Sequence, residues 1–284
     1  MNMDNTTYKL LDWIDINKLN WDYLSGNPNA VTLLSKNQDK INWTLLSGNP
    51  NAIELLKNNQ DKINWNYLSC NANAMDLLYQ NQDKINWNAL SINPNAIGLL
   101  KAHPERINWS YLSNNYNAIE LLKNNLDKVD WKQLSYNPSA IDILRENQDK
   151  IDFEFLSLNP NAIDLILENL EKIDIELLSE NPNAIIILDG LYDNIDWDGI
   201  SGNVNAINII KENQDNINWH ILSENPNAIE ILEKNQDKIN WNILSFNPSI
   251  FTCHYINLEE YHIFKNSQIF AHELNELFDE IMNE

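Results

Sequence analysis

Cysteine is nearly absent, with only Cys70 and Cys253 in 284 residues. Two thiols cannot form the disulfide framework of a small secreted domain, so a reducing, intracellular compartment is expected. Cations are also scarce, with 19 Lys and Arg against 41 Asp and Glu and a formal charge of −22. That balance excludes the basic faces by which proteins hold nucleic acid or anionic membranes. There is no apolar run long enough to span a bilayer, and Met1–Asn20 carries no secretory signal pattern. No Gly-rich phosphate loop or Gly-x-Ser-x-Gly elbow occurs. The one metal-like grouping, Cys253-His254 with His262 and His272, lacks the short paired spacing of zinc ligands. It also lacks the third residue that would orient a Cys-His nucleophile. The expectation is a protein without catalytic residues, cofactor, metal or small-molecule substrate.

What is present is a repeat. An aromatic position falls at Trp21, Trp43, Trp65, Trp87, Trp109, Trp131, Phe153, Ile175, Trp197, Trp219 and Trp241, always 22 residues apart. A strict period without insertions means that each unit is one module stacked on the next. Within a unit, a short helix is expected from the aromatic residue to Ser. A second helix should open at Asn-Pro (Asn27-Pro28, Asn49-Pro50, Asn225-Pro226), an N-cap followed by Pro at the first helical position. Ala52, Ile53, Leu55 and Leu56 then follow at helical spacing. A further Asn (Asn37, Asn59, Asn81, Asn125) is placed to end that helix in a left-handed conformation, with Lys40, Lys62 or Lys84 near the negative helix end.

Two positions carry finer information. The residue before the aromatic is only ever Asn or Asp, near-equivalent N-caps. The residue before Pro is Asn in every unit and never Asp, which points to a buried amide bridging neighbouring units through both of its groups. The tryptophans, equivalent from unit to unit, read as core rather than as a stacking platform. A leucine-rich repeat of the same period would need an alternating Leu-x-Leu strand, which the helical spacing after Pro-Asn-Ala replaces. The expected fold is therefore all-α, a solenoid of eleven stacked two-helix repeats. At about 9–10 Å per helix layer, it would form a rod or superhelix about 100 Å long.

The residues Leu-Ser-x-Asn-Pro-Asn-Ala-Ile-x-Leu-Leu, followed by Asp-Lys-Ile-Asn-Trp, resemble the Asn-rich short-repeat proteins that giant DNA viruses encode in many copies. The resemblance covers residues 15–250. It implies a viral origin and a setting in the host cytoplasm or the virion, and it brings no activity with it.

Along the chain, residues 1–20 read as an N-terminal capping half-repeat. Tyr8, Leu10, Leu11 and Trp13 supply an apolar helix, and Ile16–Asn20 imitate the later Asp-Lys-Ile-Asn. Residues 21–250 are the array. Its regularity drops between Phe153 and Ser201, where Leu191 stands in for a capping Asn and Gly190, Gly199 and Gly202 cluster. Either drift absorbed by repacking or a docking point explains that region. Residues 251–284 read as C-terminal capping helices, with Ser267–Met282 amphipathic; a detachable partner-binding helix is the alternative.

Specificity belongs where the repeat varies. The residue after Ser includes Ile92, Tyr136, Leu158 and Phe246, apolar side chains with no evident core duty. Two residues after the aromatic stand Tyr67 and Tyr111. These six are the candidate contacts for a protein partner. The expected function is a non-enzymatic protein-protein interaction scaffold; the alternative is a structural component of a viral particle.

Overall fold

In a computed structural model, residues 6–188 and 195–255 are described. Unit one shows the anatomy. A first helix, Trp21–Gly26, is followed by a 3-10 turn, Pro28–Ala30, a second helix, Val31–Ser35, and another 3-10 turn, Gln38–Lys40. The pattern recurs along the array, so the fold is an all-α solenoid. Leu at the fourth position of the first helix, Ala before the second helix and a Leu within the second helix are fully buried, as with Leu46, Ala52 and Leu56. The helices are too short to stand alone, and their stability comes from stacking.

Capping follows the sequence at one end of each helix and departs from it at the other. Asn42 Oδ1 accepts from the backbone N–H groups of Thr44 and Leu45, and Asp130 plays the same part toward Gln133. The Asn closing the second helix is not left-handed, however. Asn37 lies at φ −135°, and no non-Gly residue among those described has positive φ. Its side-chain amide donates instead to Leu33 O at 2.9 Å, satisfying one of the helix's last carbonyls. The following Lys does not sit on the helix end either. Lys40 Nζ lies 4.3 Å from the centroid of the Trp21 ring, and Lys62 and Lys84 cover Trp43 and Trp65 in the same way. The repeat tryptophans are thus half-buried at the edge of the core, most with a cation over one face; Trp197 is an exception, because Asn216 stands in the Lys slot of its unit.

Units are joined by buried hydrogen bonds. Asn49, 1% exposed, donates from Nδ2 to Ser25 O (3.1 Å) and Asn27 O (2.9 Å) of the preceding unit. Its Oδ1 accepts from Asn51 N–H in its own unit, so only the donor half crosses the interface. Asn51 Nδ2 adds a bond to Pro28 O. Ser25 Oγ donates to Trp21 O and accepts from Asn42 N–H of the next unit. The repeated Ser is therefore a buried relay, a role the sequence pattern did not disclose.

The same bonds join the last unit to the first. Asn27 Nδ2 donates to Ser245 O and Asn247 O, both at 3.0 Å. Asn29 Nδ2 reaches Pro248 O, and Asn20 N–H reaches Ser245 Oγ. One stacking operation repeated eleven times that returns to its start has no net rise. Each unit is turned about 33°, one eleventh of a full circle, from the last. The array is a closed ring, not an open rod or superhelix.

Closure also reassigns the chain ends. Unit eleven has its own first helix, Trp241–Leu244, and its turn, Pro248–Ile250, but no second helix. The chain instead enters strand β2 (Phe251–Tyr255), which pairs antiparallel with β1 (Thr6–Leu10). Leu11 N–H donates to Ile250 O, Trp13 meets Trp241 edge-on, and Lys18 covers the Trp241 ring as Lys40 covers Trp21. Residues 6–20 complete the eleventh unit instead of covering an open end. Thr6–Leu10 is a strand where an apolar helix was expected, because its backbone pairs with β2. Likewise Phe251–Tyr255 is a strand and not a capping helix. The expected helix Ser267–Met282, with Gly190 and Leu191, lies outside the described residues.

Two outcomes are expected. Deleting residues 1–19 removes the buried Ile14 and Leu19 and the strand pairing. At about 1.5–3 kcal/mol per buried side chain, this should lower the thermal midpoint and give concentration-dependent head-to-tail association. An unchanged midpoint with a monodisperse monomer by sedimentation would contradict split-unit closure. Asn115→Ala strips Ser91 O and Asn93 O of their donor. It should cost about 2–4 kcal/mol in urea unfolding, and Asn115→Asp more at neutral pH, with partial recovery in acid.

Candidate functional site

Curvature decides which residues line the opening. First helices of successive units pack directly on one another, while successive second helices stand further apart. The closely packed side is the inner circumference. At about 8–10 Å between helix axes, eleven units place those axes about 14–18 Å from the centre. Subtracting the 5–6 Å half-width of a helix leaves an opening about 20 Å across. On each first helix Leu and Ser are buried, so the wall consists of the residues one, two and five positions after the aromatic.

All six sequence candidates stand on this wall. Tyr67, Tyr111 and Tyr136 are exposed, at 45%, 50% and 40%, while Ile92, Leu158 and Phe246 are half-buried. The fifth-position residue of one unit packs beside the second-position residue of the next, as Gly48 does against Tyr67 and Gly202 against Ile221. Phe246 is the exception among the candidates. It stacks on Tyr23 across the closing interface, ring centroids 4.7 Å apart, over the space left by Gly26, so its first duty is structural.

Three clefts run along one half of the wall. The largest, about 400 Å³, is lined by Tyr136, Phe155, Leu158, Pro160, Glu180 and Pro182 among others. Phe155, which holds the same position as Tyr67 and Tyr111, forms its floor, with Lys132 Nζ 4.3 Å from its ring. Further round, Gly199 and Gly202 leave an indentation between Glu180, Asp198 and Ile221. A third cleft lies between Glu224, Phe246 and Pro248. In the irregular stretch, therefore, the loss of side chains at Gly199 and Gly202 opens the wall. At Gly199 a Cβ would come within 3.0 Å of Ser179, so a larger residue there would force the neighbouring unit to shift.

Charge divides the wall in two. Units two to five present Thr44, Asn66, Asn88 and Ser110 one position after the aromatic. Units seven to ten present Glu154, Glu176, Glu180, Asp198 and Glu224, with Lys132 and His220 at the borders. Burial, with the Asp196 carboxylate nearby, pushes Glu180 above its ordinary value. Cys70, also on the wall, has its thiol raised by burial, which disfavours the thiolate a nucleophile needs.

The outer circumference has a feature of its own. Lys101 pairs with Glu120, and Arg145 with Asp164, between successive second helices. In the corresponding slots of units seven and eight stand Leu167 and Ile186, 51% and 89% exposed, with Leu170 nearby in sequence. The signal was legible as Ile in a slot that six other units fill with Glu or Asp (Glu54, Asp76, Glu120, Asp142, Asp164 and Glu230). Among the described residues no group of His, Cys, Asp and Glu could hold a metal ion, and no helix is long and apolar enough to cross a membrane. His262 and His272 lie outside those residues.

Because its folded-state value is raised, Glu180 binds more protons in the ring than in the unfolded chain between its ordinary value and the raised one. Stability is then complete below the ordinary value and is lost as pH rises through the raised value. Glu180→Gln is expected to raise the thermal midpoint at pH 7, with the gain shrinking toward pH 4. An equal gain at both pH values would remove this account.

Comparison with known proteins adds no relative to this geometry: no protein-family model, no curated protein and no solved structure matches the chain.

Proposed function

We propose that the protein is a non-enzymatic, ring-shaped scaffold that binds a protein partner on its inner wall. The carrying observation is convergence. The positions that vary most between otherwise near-identical units lie on one face and surround clefts floored by Tyr136, Phe155 and Leu158. A rigid hydrogen-bonded frame with variable side chains on its concave side is how repeat proteins present a binding surface. Apolar side chains left open there mark an interface better than a solvated face. The viral setting implied by the repeat's resemblance belongs to the same proposal, with the host cytoplasm or the virion as its place of action.

The test is affinity capture from the native cell or particle with wild type, the triple variant Ile92→Ser, Tyr136→Ser, Leu158→Ser, and an outer-wall variant, Leu167→Ser with Ile186→Ser. A partner lost only with the inner-wall variant, at unchanged helicity and sedimentation, is the expected result. Particle proteins recovered in fixed stoichiometry with all three would overturn the reading in favour of a structural component. Loss confined to the outer-wall variant would move the site to units seven and eight.

A further inference from the structure

Resting on that reading, we infer that the wall of units six to eleven takes a single cationic polypeptide segment carrying apolar side chains, entering the opening as a tail or extended loop. Size sets the first limit. An opening about 20 Å wide admits one strand or one helix of 10–12 Å diameter. It excludes a folded domain, whose radius of gyration is about 13 Å at 100 residues. Chemistry sets the second. The clefts lined by Tyr136, Phe155 and Leu158, then Ile221 and Phe246, offer apolar floors at intervals along the wall. Between them stand Glu180, Asp198 and Glu224 at the cleft edges.

Glu154 and Glu176 add to the same arc, and Lys132 and His220 are the basic groups on it. An acidic or neutral apolar segment would bring its own carboxylates, or none, against this field. A segment alternating Arg or Lys with Leu-like residues satisfies both the carboxylates and the floors. The opposite half of the wall presents Thr44, Asn66, Asn88 and Ser110 at the same position, all uncharged. The occupant is thereby confined to one side of the opening. Arg is favoured over Lys, because its planar fork can bind a carboxylate and lie on Tyr136 or Phe155 at once.

The experiment is fluorescence anisotropy on the intact chain with short labelled peptides. One alternates Arg and Leu with Ser spacers, one has Glu for Arg, and one has Ser for Leu. The Arg-Leu peptide is expected to bind in the micromolar range, weakening with salt. Glu180→Gln with Glu224→Gln should weaken it about tenfold and flatten its salt dependence. Phe155→Ser with Leu158→Ser should also weaken it, at unchanged helicity. The outer-wall change Glu54→Gln with Asp76→Asn should leave binding unaltered. Equal binding of the Arg-Ser peptide, or equal weakening by the outer-wall change, would reduce the effect to non-specific attraction and overturn the inference. So would absence of Arg-Leu binding at about 100 μM, or full binding by the Glu180, Glu224 variant. If the Glu-Leu peptide binds through Phe155 and Leu158, the cationic occupant is refuted while the inner-wall scaffold stands. If no peptide binds and the inner-wall variant leaves capture intact, the scaffold reading itself fails.

Discussion

The buried asparagine amide between units is the interaction on which the rest of this structure depends. A backbone carbonyl inside a stack of short helices has no helical partner, and leaving it dry costs roughly 1–3 kcal/mol. The repeated Asn satisfies two such carbonyls of its neighbour with one NH2 group, while its own oxygen begins the next turn, as Asn49 does toward Ser25, Asn27 and Asn51; Asn137 keeps one of the two bonds, to Ser113 O. Aspartate lacks the donor and would bury a charge against carbonyl oxygens. Glutamine is a methylene too long for the same geometry. The requirement explains why this slot is invariant among units while the aromatic slot accepts Phe153 and Ile175.

Closure follows from the same bonds. The donors are directional and fix how one unit sits on the next, so the turn per unit is set locally and repeated. First helices packed more tightly than second helices make that turn a curve. The closing interface satisfies Asn27 and Asn29 with the same bonds that Asn49 and Asn51 make at an internal interface. Splitting the eleventh unit between the two ends of the chain adds β1 and β2 across the join, together with Trp13, Leu19 and Lys18. Irregular units can be tolerated inside such a ring because neighbours on both sides hold them.

Much of the fold was legible in the residues. The period, the two helices and the Asn and Asp N-caps are local, and local chemistry determines them; the burial of the Asn before Pro showed because Asp never replaces it. So was much of the candidate wall, because positions that vary against a constant background are visible without coordinates. What escaped were contacts with a neighbouring unit that no single unit displays. Ser25 reads as a plain helix residue until Asn42 of the next unit is seen to donate to it. Lys40 reads as a helix-end charge until the Trp21 ring, nineteen positions earlier, lies beneath it. Phe155 reads as one more aromatic at a variable position and becomes the floor of a cleft only beside Tyr136 and Leu158 of the wall.

By itself, then, the sequence determined the unit: its helices, its caps, its amide bridge and the positions free to vary, because each depends on groups within a turn or one repeat of one another. Only the tertiary structure decided that eleven units make a ring, that residues 6–20 belong to the last unit and that the variable positions face inward. These depend on the angle between neighbours summed over the whole chain. A shift of a few degrees per unit, invisible in any single repeat, separates a closed circle from an open superhelix.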